Sequence, residues 1–305
     1  MLQSIRDIFE HNIRLLGGMD KAIYYFREQQ CDKALGQMAN SMDEARLIIE
    51  AIITDREYFN LVDTESMLEM LTGILEAKKN KDFVLLADLL ELQLINFLIG
   101  VQELIISKEE IVFDEEIYRD NIQLLLEHSE GFEGGLYEPL NTAHLLESGY
   151  RIEFTSSGLM TLAAENQGST FYFHTNNKIR TEAFLLARQW YSPEKRIYHI
   201  YGYGLGYHIN ELHELAPDAD IVIYEADLNV IQLACAFTGR KGLLLNDRIK
   251  VIYDPEFILL RERLKVREEA EALCVHYPSY KNIRNSRGRE ILEAGIPWLK
   301  ALELI

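Results

Sequence analysis

Apolar residues recur every three or four positions along the first 128 residues, which is the spacing of helices with one buried face. The clearest sets are Ile5, Ile8, Phe9 and Ile13, followed by Leu47, Ile48, Ala51 and Ile52. The first proline is Pro139, so no proline interrupts helices in this half. The pattern predicts an all-α helical bundle over residues 1–128.

Polar residues indicate where these helices begin. Ser41 and Glu44 fit the S-x-x-E capping box, or they lie inside one longer helix. Asp63 or Thr64 can cap a second stretch of helical spacing, and Asn80 or Asp82 can cap a third. The third stretch, 83–106, is apolar around most of its circumference, so we expect it at the centre of the bundle.

The pattern changes after residue 128. Residues 129–150 contain four glycines and a proline and break the helical spacing, so we predict a linker there. Residues 151–155 and 170–174 are rich in β-branched and aromatic side chains. They predict a β-hairpin at the start of a second domain, 151–305.

From residue 196 onward, short apolar runs alternate with helical stretches. The predicted strands are 197–201, 221–224, 249–253 and 272–275, and the predicted helices between them are about 206–215, 228–237 and 256–270. Such alternation is typical of a parallel sheet with right-handed crossovers. The predicted fold class is therefore a Rossmann-like α/β parallel-sheet domain preceded by an all-α helical bundle.

The charge of the chain lies mostly in the helical half. The sequence has 31 Lys and Arg against 49 Asp and Glu, for a formal net charge of −18. Residues 1–140 hold 12 of the basic and 28 of the acidic side chains. Such an acidic excess argues against nucleic acid and anionic lipid as partners. The bundle is either a solvated structural unit or a module for homo-oligomerisation or protein docking.

The three cysteines, Cys31, Cys235 and Cys274, are widely spaced. Without a C-x-x-C pair or paired Glu-x-x-His motifs, we predict neither disulfides nor a metal site. The most apolar stretch, Leu92–Gln102, is shorter than the about 20 residues that span a bilayer. Since the N-terminus also lacks signal-peptide character, these features predict a cytoplasmic protein without a membrane span.

A glycine-rich loop follows the first predicted parallel strand. Gly202, Gly204 and Gly206 alternate with other residues, Tyr203 among them, and lead directly into a helix. Glycine lets a ligand approach the backbone, and a helix N-terminus favours an anionic group. The loop predicts a nucleotide-binding site; the alternative is that the glycines only allow tight packing of helix on strand.

Acidic residues end the next two strands. Glu225 ends the second strand, nineteen residues past Gly206, where an acid can accept hydrogen bonds from a ribose diol. Asp254 follows the third strand, where its side chain could contact the adenine or another base of a bound nucleotide. Because parallel strands end at one edge of a sheet, the loop and both acids are expected to lie together.

Aromatic and imidazole side chains complete the candidate site. Tyr207 and the tyrosine inside the loop are expected to close the pocket or to stack on a base. His208, in the first helical turn, either contacts an anionic group or is a surface histidine. His276 and Tyr280 belong to a proline turn after the fourth strand, and His174 follows a β-rich run. Each is a candidate ligand contact, with a rigid structural turn as the alternative.

Several short motifs occur in order between Phe154 and Tyr280. They are Ser157–Leu162, Phe173–Thr175, Thr181–Ala183, Tyr201–His208 with Glu211–Leu212, Tyr224–Asp227 and His276–Tyr280. Together they resemble the N-terminal Rossmann-like domain of the motility accessory factor family, the flagellin glycosyltransferases of bacteria.

The resemblance adds Asp227 to the candidate site. It implies a CMP-linked, sialic-like sugar as donor and flagellin as acceptor. The family's catalytic domain carries a glycine–proline–serine loop that this sequence lacks, so we expect a role accessory to protein glycosylation or motility.

The sequence supports three hypotheses for the function. The first is a nucleotide or nucleotide-sugar binding protein. The second is a methyltransferase, because the glycine loop followed by two acidic strand ends is also similar to class I methyltransferases that bind S-adenosylmethionine. The third is a non-catalytic oligomeric scaffold. The ligand thus stays open between a CMP-sugar-type nucleotide and S-adenosylmethionine, and an enzymatic activity would be that of a transferase.

Overall fold

The computed structural model describes residues 2–109, 115–128, 132, 147–155, 158–166, 168–176, 178–237, 241–276 and 278–279. The chain divides into two compact units. The first comprises Met1–Ile111 with Thr155–Leu159, and the second comprises Val112–Phe154 with Met160–Ile305.

The first unit is helical, as the sequence pattern predicts. Its helices are α1 (Leu2–Arg27), α2 (Cys31–Asn40), α3 (Met42–Thr54), α4 (Thr64–Lys79), α5 (Phe83–Leu89) and α6 (Ile95–Lys108). A π-helical turn, Leu90–Leu94, joins the last two into one continuous helix. The helix predicted from residue 83 is therefore present.

Side-chain caps fix two helix starts where the sequence places them. Asp63 accepts hydrogen bonds from two backbone N–H groups at the start of α4, and Asp82 accepts one at the start of α5. The capping box at Ser41 is wrong, because its hydroxyl donates to the carbonyl of Gln37 (3.1 Å) and caps no helix. The chain instead breaks between α2 and α3 at this residue.

A buried amide pair links α1 to α6. Nδ2 of Asn12 donates to the carbonyl oxygen of Leu98 (2.8 Å) and to Oε1 of Gln102 (2.7 Å). Asn12 and Gln102 are both fully buried. Since a buried amide is costly unless it is hydrogen-bonded, this pair fixes the register of the two helices.

The continuous helix Phe83–Lys108 has 26 residues. It is the one helix of the described chain that is long and apolar enough to cross a membrane, judged by length and composition. The core helix of a soluble protein meets the same criteria, and Leu98, Val101 and Ile105 are buried in the unit. The cytoplasmic location without a membrane span therefore stays a prediction.

An open groove of about 680 Å³ lies between α4 and this long helix. Its lining includes Leu61, Met67, Phe97 and Leu104. Leu61 is the most exposed large apolar side chain of the described residues, at 78%. Docking of a partner or a second copy through the helical region stays a prediction.

The second unit contains one antiparallel and one parallel sheet. The antiparallel sheet consists of β1 (Tyr150–Phe154), β2 (Met160–Asn166) and β3 (Ser169–Tyr172). The parallel sheet consists of β4 (Ile197–Tyr201), β5 (Asp220–Glu225), β6 (Ile249–Tyr253) and β7 (Glu271–Val275). Its spatial order is β6-β5-β4-β7. The prediction of an α/β domain with a parallel sheet is confirmed.

Six helices of the described residues lie between or before these parallel strands. They are α7 (Glu115–His128), α8 (Ile179–Trp190), α9 (Tyr207–Leu215), α10 (Leu228–Phe237) and α11 (Lys241–Leu244), and α12 (Ile258–Lys265) precedes β7. The helix predicted over 256–270 is thus shorter than expected.

Two features of the second unit differ from the sequence pattern. The expected hairpin is a three-stranded sheet, because β2 lies between β1 and β3 and pairs with both. Helix α7, expected as the last helix of the bundle, instead buries Tyr118, Ile122 and Leu125 in the core of the second unit. The expected linker 129–150 lies mostly outside the described residues.

Candidate functional site

The strand order of the parallel sheet reverses between β4 and β7. Strands β5 and β6 lie on one side of β4, and β7 lies on the other. In open α/β sheets, ligands bind outside the carboxyl ends of the strands at such a reversal. Tyr201 is in register with Val275, and the N–H of His276 donates to the carbonyl of Tyr201 (2.9 Å). The glycine loop after β4 and the turn after β7 are therefore neighbours.

All three glycines of the loop have left-handed backbone conformations. Their φ angles are +95° at Gly202, +51° at Gly204 and +68° at Gly206. A Cβ added at Gly202 would lie 2.4 Å from Cβ of Ser279, and one at Gly204 would lie 2.9 Å from Cε1 of His276. Glycine is required here both for the turn and for the close approach of these side chains.

Most backbone donors of the loop are already engaged within the protein. The N–H groups of Gly202 and Gly206 donate to the carbonyls of Tyr224 and Tyr203, at 2.9 Å each. The N–H of Leu205 donates to Nε2 of His174 (2.9 Å). The loop is therefore held in shape by the protein itself.

Three of the predicted site residues come together as a buried histidine cluster. We define the cluster as His174, which follows β3, His208 in the first turn of α9, and His276, which follows β7. They are 3%, 1% and 1% exposed. One ring nitrogen of each lies within 4.8 Å of one ring nitrogen of each of the others. The alternative of a surface histidine at His208 is wrong.

The rings of the cluster contact one another and an aromatic wall. His208 and His276 stack with centroids 4.3 Å apart and planes 8° apart. Trp190 meets His208 edge-on at 5.4 Å, and Tyr207 meets His174 edge-on at 5.0 Å. Aromatic rings therefore pack against one part of the cluster, and the glycine loop packs against another.

The two ring nitrogens of His276 have different surroundings. Its Nδ1 is hydrogen-bonded to the hydroxyl of Ser279 (2.6 Å). Its Nε2 is buried and makes no hydrogen bond with the described part of the chain. Burial lowers the pKa of His276 to about 3, outweighing the nearby carbonyl of Phe173, which raises it. The imidazole is therefore neutral at pH 7.

Glu225 lies at the predicted edge, but its carboxylate faces the backbone. One oxygen accepts from the N–H of Tyr203 (2.9 Å), and the other accepts from the N–H groups of Ala226 (2.9 Å) and Asp227 (3.1 Å). Complete burial raises its pKa to about 7, although these three donors lower it. Glu225 thus ties β5 to the glycine loop.

The other two predicted acids also bind backbone amides. Asp227 accepts from the N–H of Asn229 (2.9 Å) and from the hydroxyl of Tyr150. Asp254 accepts from two N–H groups at the start of α12, with one bond on each carboxylate oxygen. Both side chains therefore position elements at the sheet edge, and ligand contacts by them stay predictions.

The predicted tyrosines have different surroundings. Tyr203 is fully buried in the core of the second unit. Tyr207 is half-buried, and its hydroxyl donates to the carbonyl of Met160 (2.9 Å). Tyr280 lies outside the described residues.

A buried network in the parallel sheet was not anticipated. Nε2 of His199 on β4 lies 3.2 Å from a carboxylate oxygen of Glu271 on β7, and Arg263 forms an ion pair with the other oxygen. Burial lowers the pKa of His199, and Glu271 partly restores it. These residues are too far apart in sequence to form a recognisable motif.

A family model and a solved structure are similar to parts of this chain. Residues 3–104 match a family model described as "Domain of unknown function (DUF8042)". A crystal structure of MnmC2 from Aquifex aeolicus is 19% identical to this chain, with a TM-score of 0.25. That match covers 57% of this chain and 60% of the other, so this chain spans less than two thirds of it. Curated proteins gave no match. The chain is thus similar, over its helical first unit, to a domain family without an assigned function.

Proposed function

We propose that the second unit is a Rossmann-like domain that binds a nucleotide or nucleotide sugar at the carboxyl edge of its parallel sheet. The observation that carries the proposal is the loop of three left-handed glycines, placed where the strand order reverses and directly before α9. The order β6-β5-β4-β7 corresponds to the 3-2-1-4 order of doubly wound nucleotide-binding sheets.

Within this site, the anionic group of the ligand is expected at the first turn of α9. The space beside Gly202 and Gly204 is taken by Ser279 and by the histidine cluster, so a phosphate does not fit against those glycines. The helix N-terminus still supplies a favourable dipole. A role accessory to protein glycosylation or motility rests on the resemblance of residues 154–280 to the motility accessory factor family.

The experiment is a ligand titration of the full chain with CMP, a CMP-linked sugar, S-adenosylmethionine and S-adenosylhomocysteine, followed by calorimetry and thermal shift. The variant is Gly204→Ala, and the matched control is Gly168→Ala. Both replace a left-handed glycine (φ +51° and +77°), but a Cβ at Gly168 meets nothing within 4 Å. The control therefore shows the effect of a strained backbone alone, and any further loss in Gly204→Ala comes from disruption of the site.

We expect CMP compounds to stabilise the wild type and the control, and to bind Gly204→Ala at least tenfold more weakly. Equal affinity of all three proteins would remove the glycine loop from the site. Stabilisation by the S-adenosyl compounds alone would overturn the proposal in favour of a methyltransferase. No shift with any ligand would overturn it in favour of the scaffold hypothesis.

A further inference from the structure

We propose that His174, His208 and His276 bind a divalent transition-metal ion of the zinc type. This site goes beyond nucleotide binding and does not depend on it. The three imidazoles come from three separate segments and converge at the edge where the strand order reverses. Imidazole nitrogens are preferred ligands of Zn²⁺, Cu²⁺ and Ni²⁺.

Burial of the cluster needs a physical reason. An imidazole has two polar nitrogens, and burying them without partners costs free energy. Nε2 of His276 is buried and makes no hydrogen bond with the described residues. A metal ion held by the cluster would give this buried nitrogen a polar partner.

Only a modest movement is needed to close the site. Zinc–nitrogen bonds of about 2.0–2.1 Å hold nitrogens on a tetrahedral ion roughly 3.4 Å apart. The nitrogens here lie within 4.8 Å of one another, so each pair has to approach by at most about 1.4 Å to bind one ion. Nε2 of His174 accepts from the N–H of Leu205, so it carries no proton and can exchange that bond for a metal.

The surroundings of the cluster support a metal ligand set. Ser279 holds Nδ1 of His276 (2.6 Å), which directs Nε2 as the ligand atom. Thr161 donates to the carbonyl of His174 (2.8 Å) and so fixes that residue after β3. Three histidine ligands leave one position open, as in zinc sites that also bind water or a substrate oxygen.

The donor set also indicates which ions do not fit. Among the described residues, no carboxylate belongs to the cluster, and Glu225 at the same sheet edge is engaged by three backbone N–H groups. Mg²⁺ and Ca²⁺ require oxygen ligands. They are therefore expected not to bind here.

The test uses the full chain after chelator treatment and dialysis, titrated with Co²⁺ in the absence of nucleotide. Visible absorption reports the geometry of bound Co²⁺, and displacement of Co²⁺ by added Zn²⁺ gives the zinc affinity. Elemental analysis gives the number of metal ions per chain. The variant is His208→Gln. The matched control is His213→Gln, which lies on the same helix outside the cluster, with Nε2 3.0 Å from Nδ2 of Asn246.

We expect one metal ion per wild-type chain and the spectrum of four-coordinate Co²⁺. His208→Gln should lose more than about 100-fold in zinc affinity, and Ser279→Ala, which changes only a supporting residue, about 10- to 100-fold. The control should bind as the wild type does. Circular dichroism of the metal-free proteins checks that each variant is folded.

Absence of stoichiometric binding would overturn the proposal, as would equal affinities of His208→Gln and His213→Gln. If His208→Gln does not fold, His174→Gln and Ser279→Ala decide by the same measurement. The outcome is separable from the proposed function, because CMP binding is measured without metal and zinc binding without CMP.

Discussion

Glu225 illustrates, at the scale of single residues, how a correctly placed side chain can have a different partner from the expected one. Its position after β5 follows from the apolar run that precedes it, and position alone suggests a ribose contact. The structure instead directs both oxygens to backbone N–H groups of the loop and of the following turn. A residue's place on a strand is readable from sequence, whereas its hydrogen-bond partners depend on the path of the next loop.

This environment predicts a pH dependence of stability. The folded-state pKa of Glu225, about 7, lies above its ordinary value of 4.5, so the folded protein holds this proton more tightly than the unfolded chain. Its contribution to stability is therefore complete below about pH 4.5 and is lost as the pH rises through 7, by up to about 3 kcal/mol.

The measurement is urea unfolding of the wild type and Glu225→Gln at pH 5 and pH 8. We expect the wild type to lose more stability than the variant between these two values. The control is Glu194→Gln, which removes one exposed acid outside the loop. Its stability should change with pH as that of the wild type does. If the stability of the wild type and of Glu225→Gln changed equally with pH, Glu225 would not be the cause of the pH dependence.

At the scale of secondary structure, buried parallel strands were the easiest elements to predict. Strands β4 and β6 begin and end at the predicted residues, since both are rich in β-branched and aromatic side chains. Strand β2 was missed because it contains Ala163 and Ala164, which have weak strand preference. Its extended conformation depends on the strands that pair with it on both sides.

The contact between α1 and α6 gives a prediction at this scale. Asn12→Ala removes the donor to the Leu98 carbonyl and to Oε1 of Gln102, and so takes from this buried amide oxygen the hydrogen bond that links the two helices. We expect it to lower the free energy of unfolding by about 2–3 kcal/mol. Asn96→Ala removes an exposed bond on the same helix and should change it by less than about 0.5 kcal/mol. Equal midpoints of the two variants in urea would show that the buried pair does not hold these helices.

At the scale of the whole molecule, the candidate chemistry lies in one unit, whereas the net charge is shared by both. The first unit holds 11 Lys and Arg against 20 Asp and Glu, and the second holds 20 against 29, so each unit has a formal net charge of −9. The glycine loop and the histidine cluster both lie in the second unit. The split into a helical and an α/β part was predictable, because the period of the apolar pattern changes along the chain. The grouping of α7 with the second unit was not, because its apolar face carries no information about which core it joins.

The histidine cluster shows the limit of the sequence at this scale. Its members are 34 and 68 residues apart, so no metal-ligand spacing exists to be recognised, and no metal site was expected. Two of them follow predicted strand ends and were predictable as neighbours. His174 joins them only because the three-stranded sheet brings its last strand to the same edge.

The proposed function requires that the ligand binds at the carboxyl edge of the parallel sheet. Hydrogen–deuterium exchange of the full chain, with and without saturating CMP, tests it most directly. We expect added protection in peptides covering 201–209 and 272–276 and none within 2–108. Protection confined to the helices of the first unit, or no change anywhere in the chain, would contradict the claim.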